Sequence, residues 1–169
     1  MQFWQLPHAD RIALVEGNRQ VSYRELAALA DTLSAQLPDG RGMGILAMPS
    51  TVDAVALYLG ALRSNHQVPL LVQPDTAPAL LSALVADYRP EWLALPGPAP
   101  VGYATVGSTD ILNIHLRTAG NDGPAPHPEL ALLLSTSGST GSSKLVRLSA
   151  RALASNAGAI VQYLGLTAK

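Results

Sequence analysis

Cysteine is absent from the 169 residues, which rules out disulfides, thiolate catalysis and cysteine-based metal sites. Aromatic residues are scarce at 5%, with a single phenylalanine, and charged residues make up only 14%. No apolar run approaches the length of a membrane-spanning helix. The first eight residues, Met1 to His8, have neither a basic start nor an apolar stretch of the secretory kind. A cytoplasmic protein without a membrane span is therefore expected. The net charge of −1 speaks against a general nucleic-acid binder, which needs a basic face. Acidic residues are also missing from Leu130 onward, while Lys144, Arg147, Arg151 and Lys169 all lie there. Such a locally positive stretch suits an anionic ligand.

What is present is apolar. Hydrophobic residues reach 48% and the mean hydropathy is +0.20, enough for a substantial core in one domain of ordinary size. Ile12–Glu16 and Gln20–Tyr23 flank Gly17-Asn18 and read as a hairpin. Ser22 and Glu25 have capping-box spacing, opening a helix with Leu26, Leu29, Ala30, Leu33 and Leu37 at helical intervals. Gly44–Met48 reads as a strand. Ser50 is placed to cap the next helix, with an inner stripe of Val52, Val55, Ala56, Leu59 and Leu62. Val68–Val72 reads as a buried strand. Asp75 or Thr76 would cap a third helix carrying Leu80, Leu81, Leu84, Val85 and Tyr88, before a strand at Trp92–Leu95. Strands alternating with helices in this way predict an α/β fold, a mostly parallel sheet flanked by helices.

Residues 96–128 read as a proline- and glycine-rich loop region within a single unit spanning 1–169, with short strands near Tyr103–Val106 and Ile111–Leu116. Leu130–Leu134 and Leu145–Leu148 read as strands. Ser149 would cap a final helix with Leu153, Ala157, Ile160, Val161 and Leu164.

Between those last two strands lies the run from Ser135 to Lys144, rich in serine, threonine and glycine and ending in an ammonium. Glycines allow the main chain to approach a ligand and aim successive N–H groups at one anion. Hydroxyls add donors, and Lys144 adds a charge that phosphate oxygens can share. A flexible linker has the same composition, but linkers separate folded units, whereas apolar strands flank this run. A Walker-type loop fits poorly. Gly138 and Gly141 are too close together, Ser143 precedes the lysine, and the residues after Lys144 read as extended rather than helical.

Thr136, Ser137, Gly138, Ser139, Thr140, Gly141, Lys144 and Val146 resemble the phosphate-binding signature of adenylate-forming (AMP-binding, acyl-CoA synthetase-like) enzymes. Val21–Leu26, Gly60–Arg63, Val68–Leu70 and Leu148–Leu153 are similar to other segments of that family in the same order. The resemblance implies the N-terminal portion of the acyl-CoA synthetase-like fold. It also implies a role in activating a carboxylate with ATP and Mg2+, releasing pyrophosphate, before transfer to a CoA or phosphopantetheine thiol. The ATP phosphates would be bound by Thr136, Ser137, Gly138, Ser139, Thr140, Gly141 and Lys144. Departures from the family pattern are Ser143 for proline, Leu145 for glycine, Ser135 for an aromatic residue, Ala150 for histidine, and Ser64-Asn65-His66 before a strand.

By the same resemblance, the adenine-binding, ribose-binding and catalytic residues are expected beyond Lys169. The chain alone is then expected to be inactive, with the remaining C-terminal part of the enzyme as its partner. A lone portion of such a fold predicts either a homodimer or a large exposed hydrophobic patch. The acyl substrate stays open among fatty acids (as in fatty acid metabolism), aryl acids and amino acids. The alternative is a stand-alone, non-catalytic nucleotide- or phosphate-binding or protein-interaction module.

His8, His66, His115 and His127 are scattered and read as surface or loop residues rather than metal ligands. Asp10, Asp53, Asp75 and Asp87 read as caps or solvated positions, and Trp4 and Trp92 as packing residues.

Overall fold

The structure is a computed structural model that describes residues 3–7, 9–64, 67–120, 125–135 and 145–167. It opens with strands β1 (Ile12–Glu16) and β2 (Arg19–Ser22), an antiparallel pair turning at Gly17, whose φ of 56° suits glycine. Helix α1 (Tyr23–Ser34) begins at once, so Tyr23 belongs to the helix and not to the strand. The expected capping box is present: Glu25 N donates to Ser22 Oγ at 3.2 Å, and Ser22 N donates to Glu25 Oε2 at 2.8 Å. Leu37 lies past the end of α1 but is still buried.

Strand β3 (Gly42–Ala47), helix α2 (Val52–Ser64), strand β4 (Gln67–Val72), helix α3 (Pro78–Tyr88) and strand β5 (Trp92–Leu95) follow. Then come β6 (Tyr103–Ser108), β7 (Asn113–Arg117), β8 (Leu130–Ser135), β9 (Leu145–Ser149) and helix α4 (Ala150–Tyr163). Seven strands form one sheet in the order β6-β7-β5-β3-β4-β8-β9 among the described residues. Its centre, β5-β3-β4-β8, is parallel, while β7, β6 and β9 run antiparallel to their neighbours. The chain is thus α/β with a mostly parallel centre and antiparallel margins. Strands β6 and β7 extend that sheet from within the proline-rich stretch.

Two caps differ from expectation. At α2 it is Thr51, not Ser50, whose Oγ1 accepts from Ala54 N at 3.3 Å, because Glu16 of the hairpin reaches Val52 N at 3.0 Å. At α3 neither Asp75 nor Thr76 caps; Ala77 is the N-cap without a side-chain bond, and Pro78 opens the helix. Proline at that position has no N–H to satisfy, so little is lost there.

The helices differ sharply in burial. Helix α2 buries Ala54, Ala56, Leu57 and Ala61 completely, beyond its expected stripe, because it packs against both α1 and the sheet. Helix α3 buries only Leu84. Helix α4, capped by Ser149 Oγ accepting from Ala152 N at 3.1 Å, buries no residue fully. Its Ile160, Val161, Tyr163 and Leu164 are exposed, as is Leu166 just beyond it. No described helix is long and apolar enough to cross a membrane.

Candidate functional site

The parallel strands end together. Met48 N, just past β3, donates to Val72 O at the end of β4 at 3.1 Å, and Leu71 of β4 is in register with Leu134 of β8. The segments leaving the carboxyl ends of β3, β4 and β8 therefore depart from one edge of the sheet. In open α/β sheets, that edge is where ligands bind.

The chain leaves β8 at Ser135 and re-enters β9 at Leu145, and these two residues are direct antiparallel partners. Ser135 Oγ donates to Leu71 O at 3.4 Å, tying the end of β8 to β4. Because a strand and not a helix follows Lys144, the geometry departs from a Walker-type loop, which runs from strand straight into helix. The sequence-derived phosphate-binding residues Thr136, Ser137, Gly138, Ser139, Thr140, Gly141 and Lys144 lie outside the described residues. What the structure fixes is their frame: both ends are anchored in paired strands at the carboxyl edge of the sheet.

The start of β8 is held separately. Arg41 Nε donates to Pro126 O at 3.1 Å, and its Nη2 donates to His127 O at 2.6 Å and to Leu130 O. A guanidinium fork suits three converging carbonyls because its donors are fixed in one plane. Sequence reasoning missed this clamp, since Arg41 is far from Leu130 along the chain.

A second concavity, about 290 Å³, opens beside the end of β3 and is lined by Leu14, Val15, Met48, Pro49, Val52 and Val55, with Glu16, Ser50 and Thr51. The N-terminus of α2 faces this region, yet Glu16 and Thr51 already occupy its first amides. An anion is therefore not expected there. A smaller hollow of about 160 Å³ adjoins it, with Asp53, Asp110 and Arg19 on its wall.

The remaining candidates resolve into structural roles. Asp10 pairs with Arg24 at 2.7 Å and Asp53 with Arg19 at 3.3 Å, so these carboxylates are ion-paired; Asp75 and Asp87 are exposed. Hydrogen bonding to Arg24 holds the Asp10 carboxyl below the usual range. Trp4 and Trp92 are buried packing residues. His8 and His66 lie outside the described residues, and His127 is exposed. No group of three His, Cys, Asp or Glu among the described residues is placed to hold a metal.

His115 departs from the surface or loop position expected of it. It lies in β7, opposite Leu93 and Thr105, and is fully buried. Its Nδ1 is 3.0 Å from Thr105 Oγ1, while Nε2 has no partner among the described residues. Alternation in so short a strand gave little warning of burial on that face. Burial pushes the imidazole pKa below its usual 6.5, so the native state keeps it neutral. The stability this contributes is complete above the unfolded pKa and is lost as pH falls from about 6.5 toward the lowered native value. Urea unfolding between pH 7.5 and 5.5 is expected to show this loss, and His115→Gln should flatten the slope.

Comparison with known proteins agrees with this geometry. The pattern of the AMP-binding enzyme family matches residues 3–168. The chain is 30% identical over 164 residues to cyclosporin synthetase simA of Tolypocladium inflatum, covering 85% of this chain and 1% of that protein. It is 30% identical over 142 residues to CymA of Salinispora arenicola, a probable non-canonical nonribosomal peptide synthetase, covering 81% of this chain and 2% of that protein. The fold matches O-succinylbenzoate coenzyme A synthetase of Bacillus subtilis, solved with AMP, at a TM-score of 0.71 and 17% identity. That match covers 99% of this chain and 47% of the synthetase. The chain thus spans a small part of its curated relatives. It belongs to the AMP-binding enzyme family and has the N-terminal part of the acyl-CoA synthetase-like fold.

Proposed function

We propose that residues 136–144 bind the phosphates of ATP for carboxylate activation, as the N-terminal portion of an AMP-forming acyl or aryl acid ligase. The observation that supports this reading is the direct pairing of Ser135 with Leu145 at the carboxyl edge of the sheet, because the sequence between these two residues is a run of glycines, hydroxyls and one lysine. In the proposed chemistry a carboxylate oxygen attacks the α-phosphorus, the bond from that phosphorus to the bridging oxygen breaks, and pyrophosphate leaves with the electron pair. Thr136, Ser137, Ser139 and Thr140 donate hydroxyl hydrogen bonds, Gly138 and Gly141 present amides, and Lys144 pairs with a phosphate oxygen. Such preorganised donors stabilise charge as the leaving group departs.

Magnesium would neutralise phosphate charge in such a reaction, but the stretch from Leu130 onward contains no carboxylate to hold it. We therefore assign no metal ligand to this chain. The acceptor thiol, CoA or phosphopantetheine, and the acid itself are set by residues outside it in this reading. The exposed apolar face of α4 favours burial against further polypeptide, either the C-terminal part of such an enzyme or a second copy.

The test is ATP–pyrophosphate exchange with panels of fatty, aryl and amino acids. A polypeptide that continues this sequence with the rest of the family fold is expected to exchange with at least one acid, and the 169-residue chain alone with none. A folded, extended protein that exchanges with no acid would contradict the proposal.

A further inference from the structure

Beside the carboxyl end of β3 the chain leaves a groove that its own side chains do not fill. The hollow of about 290 Å³ has an apolar floor of Leu14, Met48, Pro49, Val52 and Val55. The adjoining hollow of about 160 Å³ is charged, with Arg19, Asp53 and Asp110 on its wall. Glu16 and Thr51 border both, so the two form one groove with an apolar half and a charged half. Small-molecule sites have this character: about 300–1,000 Å³, mostly apolar walls, and a few polar groups that fix orientation.

Topology puts the groove where a ligand is expected. In the sheet, β4 lies on one side of β3 and β5 on the other. Right-handed crossovers then carry α2 and α3 over opposite faces. The winding therefore reverses at the carboxyl ends of β3 and β4, and open α/β sheets form their binding crevice at such a reversal. Met48 to Thr51, leaving β3, supply one wall of the groove.

The charged half is acidic on balance. Arg19 pairs with Asp53 at 3.3 Å, so the one cation on the wall is already matched by one carboxylate. Glu16 accepts from Val52 N at 3.0 Å through Oε2, which holds its side chain at the junction of the two halves. Asp110 is exposed and has no hydrogen bond or ion pair among the described residues. Two further carboxylates beside an apolar floor favour a cation over an anion.

We propose that this groove binds a small organic cation, a primary amine carried on an apolar body the size of a phenyl ring. The ring would replace water on Leu14, Met48, Val52 and Val55, and the ammonium would donate charge-assisted hydrogen bonds to Glu16 and Asp110. The site uses none of residues 136–144 and stands apart from how those residues are read.

The experiment is methyl NMR titration of the chain with phenethylamine, 2-phenylethanol and phenylacetate, which share a ring and differ in charge. Phenethylamine is expected to bind saturably with a Kd of about 1 mM and to shift the methyl signals of Leu14, Met48, Val52 and Val55. Phenylacetate should bind at least about tenfold more weakly, with the neutral alcohol between them. Asp110→Asn and Glu16→Gln should each weaken phenethylamine binding about threefold, more at low salt than at high, and Asp87→Asn should leave it unchanged. Circular dichroism checks that each variant keeps its fold, and Asp110→Asn, on an exposed side chain, is the least exposed to that objection. Shifts that do not saturate, or that map away from the groove, would overturn the inference. So would equal affinity for phenethylamine and phenylacetate, or an Asp110→Asn variant that binds as the parent does.

Discussion

Trp92→Ala should be among the most damaging single substitutions in this chain, lowering the unfolding free energy by about 3–5 kcal/mol. Trp92 is fully buried in β5, in register with Gly44 of β3, and its ring lies over that glycine. A methyl group on Gly44 would enter the space of the indole, so the two residues form one packed unit. The indole Nε1 also donates to Gln67 Oε1 at 2.8 Å, while Gln67 Nε2 donates to Pro38 O at 2.7 Å and Gly40 O at 3.1 Å. Truncation would leave a cavity at the sheet centre and an unpaired oxygen on a buried side chain. Since domains are stable by roughly 5–15 kcal/mol, the variant should be near the edge of folding. Urea denaturation monitored by far-ultraviolet circular dichroism gives the answer. A midpoint within experimental error of the parent would show that the Trp92–Gly44 packing is not structural.

Gly60→Val should be comparably harmful, at about 3 kcal/mol, by overpacking rather than by a cavity. Gly60 lies in α2 where that helix meets α1. A Cβ there would fall inside the envelope of Ala30 O and lie 2.9 Å from Ser34 Cβ. The obstacle is main chain, which cannot rotate away as a flexible side chain would. Either α1 and α2 move apart or α1 loses hydrogen bonding at Ala30. Thermal unfolding should show a clear drop. A substitution at Gly158 should affect packing little, because no described atom lies within 4 Å of the place its Cβ would take. Equal effects at both positions would argue against a close approach of α1 and α2.

Gly44 and Gly60 acquire their importance from distant parts of the chain, and that is where the sequence was hardest to read. The hairpin at Gly17-Asn18, the Ser22–Glu25 box and the cap at Ser149 are local events. Each depends on residues within a few positions of one another, and each formed as expected. Thr51 displaced Ser50 as a cap because Glu16, remote in sequence, takes the adjoining amide. Gln67, Trp92 and the Pro38–Gly40 turn likewise meet only once the sheet has formed. The burial of His115 depended on β5 and β6 closing on either side of β7.

Similar limits apply to the site. Glycine spacing and the position of Lys144 were enough to separate it from a Walker loop, and the strand after Lys144 agrees with that distinction. The stripe expected on α4 is apolar but unburied, because a periodic pattern specifies a face to be covered and not what covers it. Arg41, whose donors converge on the start of β8, carried no motif at all.

The most direct test of the central claim is the affinity of the chain for inorganic pyrophosphate with and without Lys144→Ala, measured calorimetrically at one ionic strength. The account predicts saturable binding that the substitution weakens by at least about tenfold. Equal affinity in the two proteins, or no binding by the parent, would contradict it.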